Sequence, residues 1–375
     1  MAASQRGSRV SAREPFFTAG YEAALDRAAL FPDFGRRVVA VSGAGALRVM
    51  DGLASNDASE VERGRATYSY LLDRRGRVVV DLRLLPAPDF ESSAGPPSVW
   101  LDVPSAALGP LIGHLETYVP PILAVHRPTE VRVISVIGPL AGEAIGRWEV
   151  DSGAVFGRRP GDLEPLEATT GDVAGGAVLI VRREEIEGPG FDLYVDPDGQ
   201  VGDGRAIPIS QQLEGAVVGL GGIVAADDDW EILRIERGLP AFGSELGPER
   251  LAQEAGQVAR AISLDKGCYT GQEVVARIHY RGHVNRHLRG IRGRAAASGA
   301  VPSDVRRWVG SGLHASDGTV APKRIGIVTS AVDSPRFGPV GLAYVRREID
   351  PGDMVRSAEA PEWDLQVAEL PFTTR

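Results

Sequence analysis

Leu264-Asp265-Lys266-Gly267-Cys268-Tyr269-Thr270-Gly271-Gln272-Glu273-Val274-Val275-Ala276-Arg277 contains the chain's single cysteine and one of its two lysines. Almost every other positive charge is an arginine, so a lysine here marks a place where a compact, flexible ammonium serves and a planar guanidinium does not. A thiol near Lys266 and Arg277 would have its thiolate favoured, which makes a cysteine nucleophilic or redox-active. Gly267 and Gly271 bracket it and permit tight turns or close ligand approach. Gln272 and Glu273 add hydrogen-bonding groups. The segment reads as a tight loop presenting Cys268; the ordinary reading of a lone cysteine as a small buried hydrophobe stands beside it.

A chain of 375 residues predicts about two to three domains, each large enough to bury a core. With 43% apolar and 24% charged residues the composition is that of a globular protein. No apolar run approaches the roughly 18 residues needed to cross a bilayer. The first thirty residues mix Arg6, Arg9, Arg13, Glu14, Glu22 and Asp26 with Pro15, which leaves no apolar core for a secretory signal. A cytoplasmic location without a membrane partner is expected. One cysteine excludes an intramolecular disulfide and a cysteine-rich metal site. The net charge of −9 argues against broad nucleic-acid binding, which needs a basic surface. Locally the balance reverses. From Arg277 to Arg294 the chain carries Arg281, Arg286, Arg289, Arg292 and three histidines with no acid. This stretch is either a solvated arginine-rich surface or a face that docks an anionic small molecule or polyanionic tail.

Working outward, the spacing predicts a loose terminus over 1–19, a helix over 21–30, strands over 38–41, 77–85 and 99–103, and helices over 43–53 and 106–118. A proline-, serine- and glycine-rich loop is expected over 86–98. A strand follows at 131–137. Residues 151–176 read as a variable connection, 177–181 and 191–195 as strands, and 211–220 and 230–237 as helices. Gly219 to Gly222 make no dinucleotide fingerprint, because Val224 stands at the third glycine. Short β runs at 287–291, 325–330 and 340–345 between glycine and proline turns predict a small barrel or sandwich. His279, His283 and His287 are spaced by four, the interval of a helical metal face. Gly282 interrupts them and the chain turns toward β structure, so no metal site is assigned.

The run Lys266, Gly267, Cys268, Tyr269, Gly271, Gln272, Glu273 and Arg277 resembles the signature of the YgfZ-type folate-binding proteins, relatives of the glycine cleavage T protein. Other stretches follow in the right order. They are Ser55-Asn56-Asp57 with Gly64 and residues 70–85; Arg234-Ile235-Glu236-Arg237-Gly238 with Pro240, Gly243, Glu245 and Leu246; Ile325-Gly326-Ile327-Val328-Thr329-Ser330; and Ser334-Pro335, Gly338 and Leu342-Ala343-Tyr344-Val345-Arg346-Arg347. The similarity spans roughly residues 35 to 350.

The resemblance implies an α+β fold: a T protein-like folate-binding body over 20–284, with a second subdomain within about 130–229, mixed antiparallel sheets and helices, and a C-terminal β-barrel over 285–372. It implies a tetrahydrofolate-binding accessory protein that supports iron–sulfur clusters in client enzymes or works with cluster assembly proteins. Lys266 and Cys268 are then the candidate working pair, and Arg234, Lys266, Tyr269, Gln272, Glu273 and Arg277 the candidate folate-binding residues. In the T protein two aspartates end the run before the core strand, and the first meets the folate nitrogen. Here Val80 stands at that place, which cannot exchange a proton, and Asp81 falls on the opposite face of the strand by alternation. Aminomethyl transfer is not expected by that route. The acid that holds the pterin has no counterpart around Gly188-Pro189-Gly190 unless Glu187 substitutes. Arg234 either grips a folate carboxylate bidentately or pairs with Glu231 or Glu236 on its own helix. A self-sufficient folate-dependent one-carbon transferase is the alternative function, and a purely structural role for the cysteine loop a further one.

Overall fold

The computed structural model describes residues 19–88, 98–173, 176–186, 188–195, 208–296, 304–315 and 323–373. Nearly all of the expected loose terminus, most of the loop expected over 86–98, and Glu187 lie outside the described residues. The chain begins with α1 (Ala19–Asp26), β1 (Ala29–Phe31), β2 (Arg36–Ser42), α2 (Ala46–Leu53), β3 (Thr67–Leu72), β4 (Val78–Pro86), β5 (Ser98–Pro104), α3 (Leu108–Tyr118) and β6 (Val125–Pro128). It continues through β7 (Arg132–Ile137), α4 (Ala141–Ser152), β8 (Val155–Phe156), β9 (Ala168–Val173), β10 (Gly176–Arg182), β11 (Gly190–Val195), α5 (Ile209–Val218), β12 (Ile223–Val224) and α6 (Asp227–Arg237). After α7 (Val258–Ala261) and α8 (Gln272–Arg281) come β13 (Arg286–Ala295), β14 (Gly312–Ala315), β15 (Arg324–Ser334), β16 (Gly338–Arg346), β17 (Met354–Arg356) and β18 (Trp363–Ala368).

Two sheets and a barrel result. One sheet has the order β3-β4-β5-β2-β6, the other β12-β1-β7-β11-β10-β9-β8, and β13-β16-β15-β14-β17-β18 close on themselves, which leaves the barrel no free edge. Each open sheet buries one face under helices. Met50 and Leu53 of α2 and Leu111 and Leu115 of α3 pack on Val39, Val80, Leu82 and Leu84, while Ile145 and Trp148 of α4 and Leu213 and Val217 of α5 pack on Ile134, Val136 and Ile180. The other faces meet each other. Val38, Ala40, Leu85 and Trp100 interdigitate with Val133, Leu179, Val181 and Tyr194 to give a helix–sheet–sheet–helix stack.

The helix predicted over 21–30 ends at Asp26, and Ala29–Phe31 instead pairs with β7 and β12. The stretch read as a variable connection over 151–176 carries β9, which pairs along β10 from Ala168 to Val173. Its Ala-Thr-Thr-Gly-Asp sequence has little apolar alternation, and pairing along the sheet rather than burial holds it. The α4 helix, absent from the sequence reading, follows the β7 strand directly.

The space between the sheets is not wholly apolar. Arg83 on β4 donates to Asp102 Oδ2 on β5 (2.8 and 2.6 Å) and to Asp192 Oδ2 on β11 (2.5 Å). Asp102 also binds Arg36 (2.6 Å) and Asp192 binds Arg183 (2.8 Å). Arg183 pairs with Glu185, which approaches Arg260 (4.0 Å), itself paired with Glu184 (2.8 Å). Positive and negative groups thus alternate through the middle of the body, and Asp102 and Asp192 are fully buried. Burial alone would raise the Asp102 carboxyl, but Arg36 and Arg83 outweigh it and hold the group below the usual carboxylate range.

Removing the central member leaves two buried carboxylates undercompensated. Arg83→Met is expected to cost about 3–5 kcal/mol of unfolding free energy in urea denaturation, and a loss under about 1 kcal/mol would show that the pair is neutralised in some other way.

Candidate functional site

The 264–277 segment folds as a loop leading into α8, docked against β3, β4 and the end of α2. Gly271 enters α8 at φ +85°, and a Cβ there would lie 2.7 Å from the Asp73 carbonyl and 2.9 Å from Leu72, so both backbone and packing require glycine. Gly267 faces open space and has no such requirement.

Lys266 turns inward. Its ammonium donates to Asp51 Oδ1 (2.7 Å) and to the carbonyls of Asp51 (2.6 Å), Ala54 (3.0 Å) and Asn56 (2.9 Å), and its side chain is 3% exposed. Four oxygens surround three protons, so the group is saturated within the protein. It clamps the C-terminal end of α2 onto the loop, together with the Thr270 N–H, which donates to the Gly52 carbonyl (3.2 Å). The Ser55-Asn56 pair completes the joint. Ser55 Oγ donates to the Ala261 carbonyl (2.6 Å), and Asn56 Nδ2 donates to the carbonyls of Tyr68 (3.0 Å) and Arg260 (2.7 Å). Cys268, two residues on, is exposed.

Tyr269 points the opposite way from the thiol. It is buried in one cluster with Tyr68, Tyr70 and Leu72 of β3 and Val78 of β4, and the Lys266 ammonium sits 5.6 Å from its ring centre. Burial pushes its hydroxyl up to about 12. Tyr68 and Tyr70 meet edge to face at 5.7 Å, and Arg260 lies over the Tyr68 ring at 4.8 Å. Asp81 stands across from Tyr70 in the β3–β4 register, and the Tyr68 hydroxyl donates to Asp81 Oδ2 at 3.4 Å. Burial raises the Asp81 carboxyl against the opposing pull of Arg36. Among the described residues, three buried oxygens here have no hydrogen-bond partner: Asp81 Oδ1, Tyr70 Oη and Tyr269 Oη. Orphaned polar atoms of this kind are uncommon in folded interiors, and three of them in one cluster make this the candidate site.

Alternation puts Val80 and Asp81 on opposite faces, as the sequence predicts. The polar face is Asp81's: Val80 lies in the apolar core under the helices, while Asp81 and Arg83 look between the sheets. The register shifts between Leu71 and Leu72, where Val79 is an extra residue on β4, so counting from the Gly76 turn gives the wrong face. An acid therefore faces the cluster even though the aligned position holds valine.

A family model described as the GCVT N-terminal domain matches residues 17–266, two thirds of the chain. The chain belongs to the GCVT N-terminal domain family. An aminomethyltransferase of Corynebacterium jeikeium (strain K411) is 29% identical over 362 residues, covering 90% of this chain and 85% of the relative. The iron–sulfur cluster assembly factor IBA57, mitochondrial, of Mus musculus is 24% identical over 342 residues, covering 88% and 83%. The solved glycine cleavage system aminomethyltransferase T of Bartonella henselae has the same fold, with a TM-score of 0.73 at 20% identity, covering 94% of this chain and 88% of that one.

In this GCVT-type chain the remaining sequence candidates disperse. Arg234 is buried at the seam between body and barrel. Its five N–H groups go to both oxygens of Glu231, to Glu245 (3.2 Å), to the Leu239 carbonyl (3.1 Å) and to Ser330 (2.8 Å). Glu236 instead accepts from Tyr21 (2.8 Å) and Ser334. Gln272 reaches back to the Gly267 carbonyl (3.4 Å), and Glu273 is exposed in the first turn of α8. Arg277 leaves the loop altogether and lines an outer cleft with Arg74, Arg75 and Arg286. His279 lies on α8, His283 in the link beyond it and His287 on β13, so they share no helical face. Sequence reasoning passed over Tyr68, Tyr70 and Arg260. The two tyrosines alternate with Ser69 in a strand, a period that places both rings on one side.

Lys266→Met is expected to destabilise the protein by about 3 kcal/mol by stranding buried acceptors, with Lys266→Arg only partly restoring it because a planar fork does not fit four converging oxygens. Cys268→Ala is expected to change stability by less than about 0.5 kcal/mol; guanidinium titrations of the three variants decide the contrast. A second outcome concerns pH. A carboxyl raised by burial favours the folded state when protonated and costs stability as pH rises through its folded value. Asp81→Asn is therefore expected to be more stable than wild type at pH 8, the gain shrinking as pH falls through the raised Asp81 value and below the ordinary carboxylate range, where the wild-type side chain is also neutral. A gain independent of pH would remove Asp81 from this account.

Proposed function

We propose that this protein binds a reduced folate against Asp81, Tyr70 and Tyr269 and works as an accessory factor in iron–sulfur cluster assembly, with the Lys266–Arg277 segment as its working edge. The observation that carries the reading is the set of three unpartnered buried oxygens around the signature tyrosine. A pterin ring carries several N–H donors and acceptors along one edge, in the plane of the ring. Asp81 accepts an N–H when ionised and presents its own O–H when protonated, while Tyr70 and Tyr269 donate or accept. The apolar walls from Leu72, Val78 and Leu246 exclude water from such contacts. Lys266 acts by position: it fixes the loop so that Tyr269 points in and Cys268 points out.

Support for the assembly role comes from the mouse assembly factor's similarity over most of both chains and from the exposed thiol in the loop. Bound folate supplies a one-carbon carrier; Cys268 is placed to meet another protein or a cluster in transit rather than a ligand held between the sheets.

A second reading, a folate-dependent one-carbon transferase, is favoured by one feature: Asp81 supplies a carboxyl of raised affinity for protons beside the unpartnered oxygens. In that reading Asp81 holds or passes the proton at the folate nitrogen and no role falls to Cys268.

Calorimetric titration with tetrahydrofolate under anaerobic conditions tests the shared premise. Micromolar binding, weakened about tenfold or more in Asp81→Asn and Tyr269→Phe without loss of folding, is expected; wild-type-like affinity in both variants removes folate from this cluster. Cys268→Ala then separates the readings. It is expected to bind folate normally and to fail in supporting iron–sulfur enzymes in a deletion strain, whereas turnover of methylene-tetrahydrofolate by the purified variant would favour the transferase.

A further inference from the structure

The outer cleft that receives Arg277 belongs to a larger feature. It measures about 440 Å³ and is framed by the β3–β4 turn, α8 and the start of β13. Arg286 also lines a second cleft along β15 and β16, and that cleft shares Asn285 and Arg346 with a third beside His283 and His287. Linked by these shared residues, the three clefts adjoin in a strip where body meets barrel. Eight arginines line it against three glutamates, in a chain whose net charge is −9.

Among the described residues, the guanidinium groups of Arg74, Arg75, Arg277, Arg286 and Arg347 have no hydrogen-bond or ion-pair partner, and all five residues are exposed. The acids in the strip are partly committed. Glu254 accepts from its own turn at Leu251, Glu348 pairs with Arg346, and Glu249 lies 4.0 Å from Arg77. Gathering unpaired guanidiniums along one groove costs repulsion, which an anionic occupant offsets. Their planar forks suit carboxylates, which they grip by two parallel hydrogen bonds.

We propose that this strip docks a short acidic segment of a partner polypeptide, one that presents several aspartates or glutamates in extended form. The strip runs past three clefts, longer than a single small anion needs. A nucleic acid is disfavoured by the same charge count: a long polyanion continues beyond the strip over a negative surface, whereas a short segment senses only the groove within about a Debye length of 8 Å. The site is separate from the Asp81 cluster, so folate binding can fail while this docking holds, and the reverse.

Fluorescence anisotropy with a labelled hexaglutamate peptide tests it, with hexaglutamine and a labelled oligouridine of equal charge as controls, at about 50 and about 200 mM salt. Binding of hexaglutamate alone is expected, weakened about tenfold at the higher salt and about tenfold or more in the triple variant Arg75→Glu, Arg286→Glu, Arg346→Glu. Arg75→Glu by itself, on an exposed turn, gives a smaller loss and guards against misfolding of the triple variant. Hexaglutamine binding as tightly, affinity that survives charge reversal, or tighter binding of the oligouridine would each overturn the proposal.

Discussion

Arg83 is the residue on which the body depends. It projects from β4 into the space between two sheets and meets a carboxylate from each, Asp102 beside it and Asp192 across the gap. Both carboxylates are sealed from water and the guanidinium nearly so, and the charges are tolerable only if the sheets keep a fixed alignment. Apolar side chains in the same layer tolerate small slips; a guanidinium shared between two carboxylates does not. The alternating chain of charges runs out to Arg260, whose face covers Tyr68. Whatever sets the sheets therefore also sets the wall of the candidate site. Asp81, two residues before Arg83 on the same face, takes its position from the same constraint.

The signature loop is attached to this frame by one ammonium. Lys266 resembles a ligand-binding residue when read in sequence, since it is a rare cation beside a rare thiol. In the fold its charge is met by Asp51 and its remaining protons by carbonyls that end a helix and a turn. Such a role explains why lysine rather than arginine occupies the place: converging oxygens from several directions suit a tetrahedral point charge. The clamp gives the loop two opposed faces, a tyrosine directed into the apolar cluster and a cysteine directed outward.

Much of the architecture was legible from periodicity. The strands at β4, β5, β7 and β11 and the helices α2, α3, α5 and α6 follow from patterned burial, and the short β runs after residue 285 close the barrel. The losses have specific causes. The β9 strand is half polar and held by its neighbour, so it carries no alternation to detect. The α8 helix starts behind a left-handed glycine and carries Gln, Glu, Arg and His on its open side, with Val275 its one buried residue, too narrow a stripe to register. The site was legible as a segment and not as a constellation. Tyr269 gathers with Tyr70 and Asp81 only after the β3–β4 hairpin forms, and one extra residue at Val79 decides which way the acid faces.

That single bulge leaves Asp81 facing the tyrosines. A carboxyl buried beside tyrosines resists ionisation, and the resistance is a standing cost at neutral pH. Any ligand that offers Asp81 a hydrogen-bond partner lowers the cost, so binding and the proton on Asp81 are linked whichever reaction follows. If the ligand donates an N–H, it draws the carboxyl toward ionisation; if it offers a lone pair, it keeps the proton in place. The first arrangement holds a molecule and the second readies a proton for a nitrogen. Of the two proposed roles, the accessory factor calls only for the first and the transferase for the second, so the direction in which ligand binding moves the Asp81 proton separates them on the same unpartnered oxygens.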